Sequence, residues 1–151
     1  MGGLGSRFRW LGAGAAIAVV TVAMAAVEPT IEELKARVAS ASVGDKPRIC
    51  VQIAERQLNE ADKLYAASED EKGQAPLTDA VAFSELARDY AIQSHKHEKQ
   101  TEIAVRGMIR KLNDLLHTLP REEEAPVKDA VSRLQRVRDD LLHSMFPKGA
   151  K

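Results

Sequence analysis

SHKHEKQ, residues 94–100, is the polar interruption in a stretch that otherwise reads as helix from 77 to 118. That span holds no proline and a single glycine, Gly107. Before the interruption, Leu77, Ala80, Val81, Ser84, Ala87, Ala91 and Ser94 recur at helical spacing as a stripe of mostly small residues. After it, Val105, Met108, Leu112, Leu115 and Leu119 follow in three-four steps until Pro120 stops them. If SHKHEKQ bends, two helix hairpins fold together as a four-helix bundle. If it stays helical, one rod of about 60 Å, at 1.5 Å per residue, carries a partner helix at each end. The exposed stripes of that long form would favour a homodimer.

Working outward, helical spacing recurs on both sides. Thr30-Ile-Glu-Glu33 is a capping box that opens a short helix within 26–44, with Ile31, Leu34, Val38 and Ala41 on one face. Val43-Gly-Asp-Lys-Pro47 ends it, and Asp45 with Pro47 suits the start of the next helix. That helix runs to about Ala67 and aligns Cys50, Ile53, Ala54, Leu58, Ala61, Leu64 and Tyr65. Ser68–Gln74 is polar, contains Gly73 and reads as a loop, with Pro76 in the first turn of the third helix. Small residues on that helix predict close packing against the second. The last helix carries Val127, Ala130, Leu134, Val137, Leu141 and Met145, closed by Pro147, with Glu122, Glu123 and Glu124 suiting its positive dipole end. No segment sustains two-residue alternation. The chain is therefore all-α: a bundle of two antiparallel hairpins, 45–97 and 98–147, with a tail at 148–151.

The two hairpins share sequence. APLTDAV (75–81) returns as APVKDAV (125–131), and Ile53-Ala54-x-Arg56 returns as Ile103-Ala104-x-Arg106. At the same offset of fifty, Arg88-Asp89 meets Arg138-Asp139 and Ser94 meets Ser144, eleven identities from 53 to 94 without a gap. A duplicated hairpin accounts for this: such a unit cannot hide its apolar face alone and needs a neighbour.

The N-terminus has a separate logic. Arg7 and Arg9 precede an uncharged run from Trp10 to Val27, and Ala23-Met24-Ala25 is the small-x-small pattern of a signal peptide cleaved before Ala26. The alternative is an uncleaved membrane anchor, for which eighteen uncharged residues lie at the short end. Removing 1–25 leaves 20 basic and 22 acidic residues, a net charge of −2, which does not suit a general nucleic-acid binder. The mature chain is expected to be periplasmic or secreted and not membrane-inserted.

IAERQLNEADKL (53–64) and AIQSHKHEKQTEIAVRGMIRKL (91–112) resemble a group of uncharacterised exported helical bacterial proteins. The resemblance extends over most of the mature chain. It implies export and a helical fold, and no activity.

Chemistry-bearing candidates are few. His95, His97 and Glu98 form one cluster, but imidazoles two apart on a helix point in widely separated directions. Only an unwound segment would bring both, with Glu98 or Glu102, onto Zn²⁺ or Cu²⁺; otherwise this is a solvated joint. His117 and His143 lie near helix C-termini, where they suit the dipole. Cys50, the sole cysteine, sits on an apolar face as a packed thiol or an intermolecular disulfide. Arg106, Arg110, Lys111, Arg133, Arg136 and Arg138 are offset by acids at helical spacing: Glu102 before Arg106, Asp129 before Arg133, Asp140 after Arg136. There is no Cys-x-x-Cys-His, Ser-His-Asp signature, phosphate-gripping glycine loop or HExxH. No carboxylate stands alone on an apolar face. The expectation is a non-enzymatic binding or scaffolding protein without a cofactor, acting through contact with an unknown protein partner. The alternative is an envelope stress or metal-responsive protein binding Zn²⁺ or Cu²⁺ at His95, His97 and Glu98.

Overall fold

The computed structural model describes residues 27–149; the leader at 1–25, the cleavage point before Ala26 and the tail residues 150–151 lie outside the described residues. Among those described, the chain forms no strand and five α-helices: α1 (Ile31–Ser40), α2 (Lys46–Ala66), α3 (Asp70–Ser94), α4 (Glu98–Leu116) and α5 (Glu124–Met145), the last preceded by a 3₁₀ turn at Arg121–Glu123. The protein is an all-α helical bundle.

α1 begins as its capping box requires. Thr30 Oγ1 accepts from the Glu33 amide and Glu33 Oε2 accepts from the Thr30 amide, both at 3.1 Å. Its buried Leu34 and Val38 pack with Cys50, Ile53 and Ala87, so α1 roofs the α2–α3 hairpin. Pro47 occupies the first turn of α2. Asp45 holds the cap position but not the cap bond: its carboxylate accepts from Ser42 Oγ at 2.6 Å instead.

The expected loop at Ser68–Gln74 shrinks to Ala67–Glu69. The α2 terminus is closed by a Schellman pair, Glu69 N–H to Leu64 O at 2.8 Å and Ser68 N–H to Tyr65 O at 3.0 Å. Ser68 takes the left-handed conformation that this closure needs. α3 starts at once, with Asp70 and Glu71 in its first turn, and Pro76 lies inside the helix rather than in that turn. Tertiary packing outweighs the helix-breaking residues here, because Gly73 is buried directly against the Tyr65 ring.

The chain bends at 95–97, which excludes the single long helix. His95 (φ 54°) and His97 (φ 64°) both adopt the left-handed region, at a cost of roughly 1–2 kcal/mol each. The return lies in α4. Val105, Met108, Leu112 and Leu115 are all buried, each contributing about 1.5–3 kcal/mol. Burial wins by a clear margin. The stripes that would favour a dimer in the long form are thus covered within one chain.

Polar pairs fix the arrangement. α2 and α3 run antiparallel, with Gln57 bonded to Asp79 at 2.9 Å and Tyr65 against Gly73. α4 and α5 run antiparallel, with Glu98 joined to Ser144 and Glu102 to Arg138. α3 lies parallel to α5 through Glu85–Arg133 and Arg88–Asp140. α2 lies beside α4 through Asn59 and Asp62 to Lys111. Small side chains on α3 let α4 approach across the core, where Ser84 Oγ reaches Met108 Sδ at 3.8 Å.

The fifty-residue echo corresponds to equivalent burial. Leu77, Ala80, Val81, Ser84, Ala87 and Ala91 are the buried side chains of α3 after Gly73; Val127, Ala130, Val131, Leu134, Val137 and Leu141 are those of α5, each fifty later. The units differ where α1 intervenes. Ile53 is 0% exposed beneath α1, whereas its counterpart Ile103 is 47% exposed.

Candidate functional site

The bend does not gather the histidine cluster into a metal centre. His95 is exposed, His97 half-buried, and Glu98 at the start of α4 accepts a hydrogen bond from Ser144. Among the described residues, no three His, Cys, Asp or Glu side chains stand close enough together to hold a metal ion. His117 caps the end of α4 and His143 lies in the last turn of α5. Cys50 is fully buried under α1, and burial pushes its thiol up to about 11 against a smaller opposing effect of Lys46. It is protonated at neutral pH and a poor nucleophile.

The basic residues of α4 and α5 pair mainly between helices, where the sequence suggested pairs within them. Arg133 grips Glu85 of α3 with two bonds of 2.9 Å, and Asp140 pairs with Arg88 rather than Arg136. Glu102 departs furthest from expectation. It is buried at 6% exposure between α4 and α5, with Arg138 at 2.9 Å and Arg106 at 3.7 Å. Helical spacing finds the Arg106 pair; the closer Arg138 partner comes from another helix.

Unmet hydrogen-bonding capacity collects at the far end of the bundle, where the α2–α3 connection meets the 3₁₀ turn before α5. There a recess of about 490 Å³ is lined by Glu69, Asp70, Glu71, Glu122 and Glu123, against one cation, Lys72. Lys72 is already paired with Glu69 at 3.2 Å. Tyr65 lines the same recess; its side chain is packed against Gly73 and the residue is 4% exposed. Tyr65 Oη and Asp70 Oδ1 are both buried without a hydrogen-bond partner. An unsatisfied buried polar atom costs about 1–3 kcal/mol, so two together at one end of a well-paired bundle are conspicuous.

The electrostatics agree with that placement. Glu123 is held above the usual glutamate range, first by hydrogen bonding with Asp70, then by burial and the negative charges of Asp70 and Glu122. Two ionised carboxylates cannot donate to one another, which leaves Asp70 Oδ1 bare; a proton on Glu123 provides a donor. The Tyr65 phenol is pushed up by burial and by Asp70 and Glu123. The sequence reading missed this recess because it placed 68–74 in a loop and assigned Glu122–Glu124 to the helix dipole. A signal was present: the acid runs Glu69-Asp70-Glu71 and Glu122-Glu123-Glu124 fall at the starts of the third and last helices, at nearly the same place in the two units.

Fold and recess together define an all-α hairpin bundle with an acidic mouth at one end. Comparison with protein families, curated proteins and solved structures returns no match for this chain.

Proposed function

We propose that this is an exported, non-catalytic α-helical protein that acts by holding a protein partner at the acidic end of the bundle. The observation that carries the reading is the recess itself. Elsewhere many charged side chains are paired across helices, as Arg133–Glu85, Arg88–Asp140 and Arg138–Glu102 are. At the recess, polar atoms lack partners and five carboxylates face one ammonium. A partner that brings hydrogen-bond donors and positive charge would complete these groups.

The charged start, uncharged run and Ala-Met-Ala of the leader support export to the periplasm or beyond. No helix among the described residues is long and apolar enough to cross a membrane. The test is capture from a native envelope extract with the immobilised chain, compared with a chain carrying Asp70→Asn and Glu123→Gln. A partner retained by the first and released by the second supports the reading. Equal retention by both, or none by either, refutes it. Zinc or copper binding that disappears in His95→Ala/His97→Ala would replace it with the metal-responsive alternative.

A further inference from the structure

We propose that the recess beneath Tyr65, Asp70 and Glu123 receives the cationic head of a lysine or arginine side chain from the partner. The identity of the occupant rests on the partner-holding reading above, while the preference for an organic cation rests on the recess alone.

Its lining carries five carboxylates and one lysine, a formal charge of −4. An acidic surface alone attracts counterions without binding any of them. What distinguishes this place is Tyr65, whose hydroxyl is buried and unpartnered, together with Asp70, whose buried Oδ1 lacks a donor unless Glu123 carries a proton. A visiting ammonium offers three donors and a guanidinium five, a supply of donors that this lining lacks, and its charge neutralises the repulsion between Asp70 and Glu123. Hard divalent cations fit less well. Calcium takes six to eight oxygens, and no trio of metal-binding side chains converges here among the described residues. The volume lies within the range of pockets that enclose a ligand-sized group rather than a bare ion. A basic side chain on a polypeptide fills it, with the stem in the recess and the main chain across the mouth.

Binding also carries a proton signature. A cation favours the doubly ionised Asp70–Glu123 pair, so any proton shared between the two carboxyls leaves as the head group enters. The other carboxylates lining the recess, Glu69, Glu71 and Glu122, add to the attraction, and Lys72 opposes it. Affinity is therefore expected to fall as pH drops into the carboxylate range.

The experiment is an amide-resolved NMR titration of the purified chain at low ionic strength. The probes are blocked tripeptides with a central lysine, arginine or glutamate, together with free spermidine. Expected are shifts confined to the amides around Tyr65–Gln74 and Glu122–Val127 for the lysine or arginine peptide, and none for the glutamate peptide. Asp70→Asn is expected to weaken binding about tenfold, the loss of one charge-assisted contact. Tyr65→Phe keeps the ring on Gly73 and is expected to weaken it by about threefold or more, so loss of binding can be separated from loss of fold. Absence of binding by both basic peptides, or binding indifferent to Asp70→Asn and Tyr65→Phe, overturns the proposal. So does spermidine binding more tightly than either peptide, which would make the occupant a free polyamine. If the peptides bind here but extract capture ignores the recess substitutions, the site stands and the partner-holding function falls. If capture depends on the recess and the peptides do not bind, the cation proposal falls alone.

Discussion

Gly73→Ala and Gly107→Ala make the same chemical change in two helices and are expected to act in opposite directions. In an unobstructed helix interior, alanine is favoured over glycine by about 0.8–1 kcal/mol. Gly107 sits mid-way in α4, exposed, and a Cβ built there meets nothing within 4 Å. It should yield that full gain. Gly73 is buried, and a Cβ there would stand 2.9 Å from Tyr65 Cε2 and 3.0 Å from Cδ2, well inside van der Waals contact. The ring is held between the core and the recess it lines, and must shift for the Cβ to fit. Overpacking costs about 1–3 kcal/mol, so the propensity gain is cancelled and the net effect is a loss of about 1 kcal/mol. Thermal unfolding followed by circular dichroism at 222 nm reads both, with each kcal/mol worth about 3–6 °C at this size. Gly107→Ala should raise Tm and Gly73→Ala should lower it. If both raise Tm equally, the Gly73–Tyr65 contact does not hold the start of α3, and the recess built on that contact is wrong.

Further outcomes follow from the buried polar groups. Tyr65→Phe removes a hydroxyl that has no partner and should stabilise the unliganded chain by about 1 kcal/mol in urea titration; a loss of similar size would mean that the hydroxyl is bonded. The Glu123 carboxyl, normally near 4.5, is raised in the folded protein, so its contribution to stability is complete below the unfolded value and is lost as pH rises through the folded one. Glu123→Gln should therefore raise Tm at neutral pH and flatten its fall above the ordinary glutamate range, and an unchanged pH profile would contradict the raised value. Arg138→Met leaves buried Glu102 with only the longer Arg106 contact and should cost about 2 kcal/mol, while Arg106→Ala should cost under about 0.5 kcal/mol; reversal of that order in chemical denaturation would misplace Glu102. The Cys50 thiol, pushed up to about 11 and roofed by α1, should react with a disulfide reagent only as fast as α1 opens, and immediate labelling at neutral pH would show the roof absent.

Much of this molecule is decided by local chemistry that the chain carries in order. Three-four spacing names the buried face of every helix, because a side chain's direction follows from 3.6 residues per turn whatever the helix later meets. The capping box at Thr30–Glu33 forms as written, since all its atoms lie within one turn. The fifty-residue echo likewise corresponds to matched burial in α3 and α5. What only the tertiary structure decided are balances between distant parts. The bend at His95–His97 costs left-handed backbone and is worthwhile because it lets α4 bury its apolar stripe in the core shared with α2, α3 and α5. The early start of α3 needs a ring from α2 to sit on Gly73, and Glu102 needs an arginine thirty-six residues away. The acidic recess belongs to the same class. Its oxygens come from two connections about fifty residues apart, and whether they repel in solvent or converge around a buried hydroxyl is set by how the hairpins pack, which no spacing along one helix encodes.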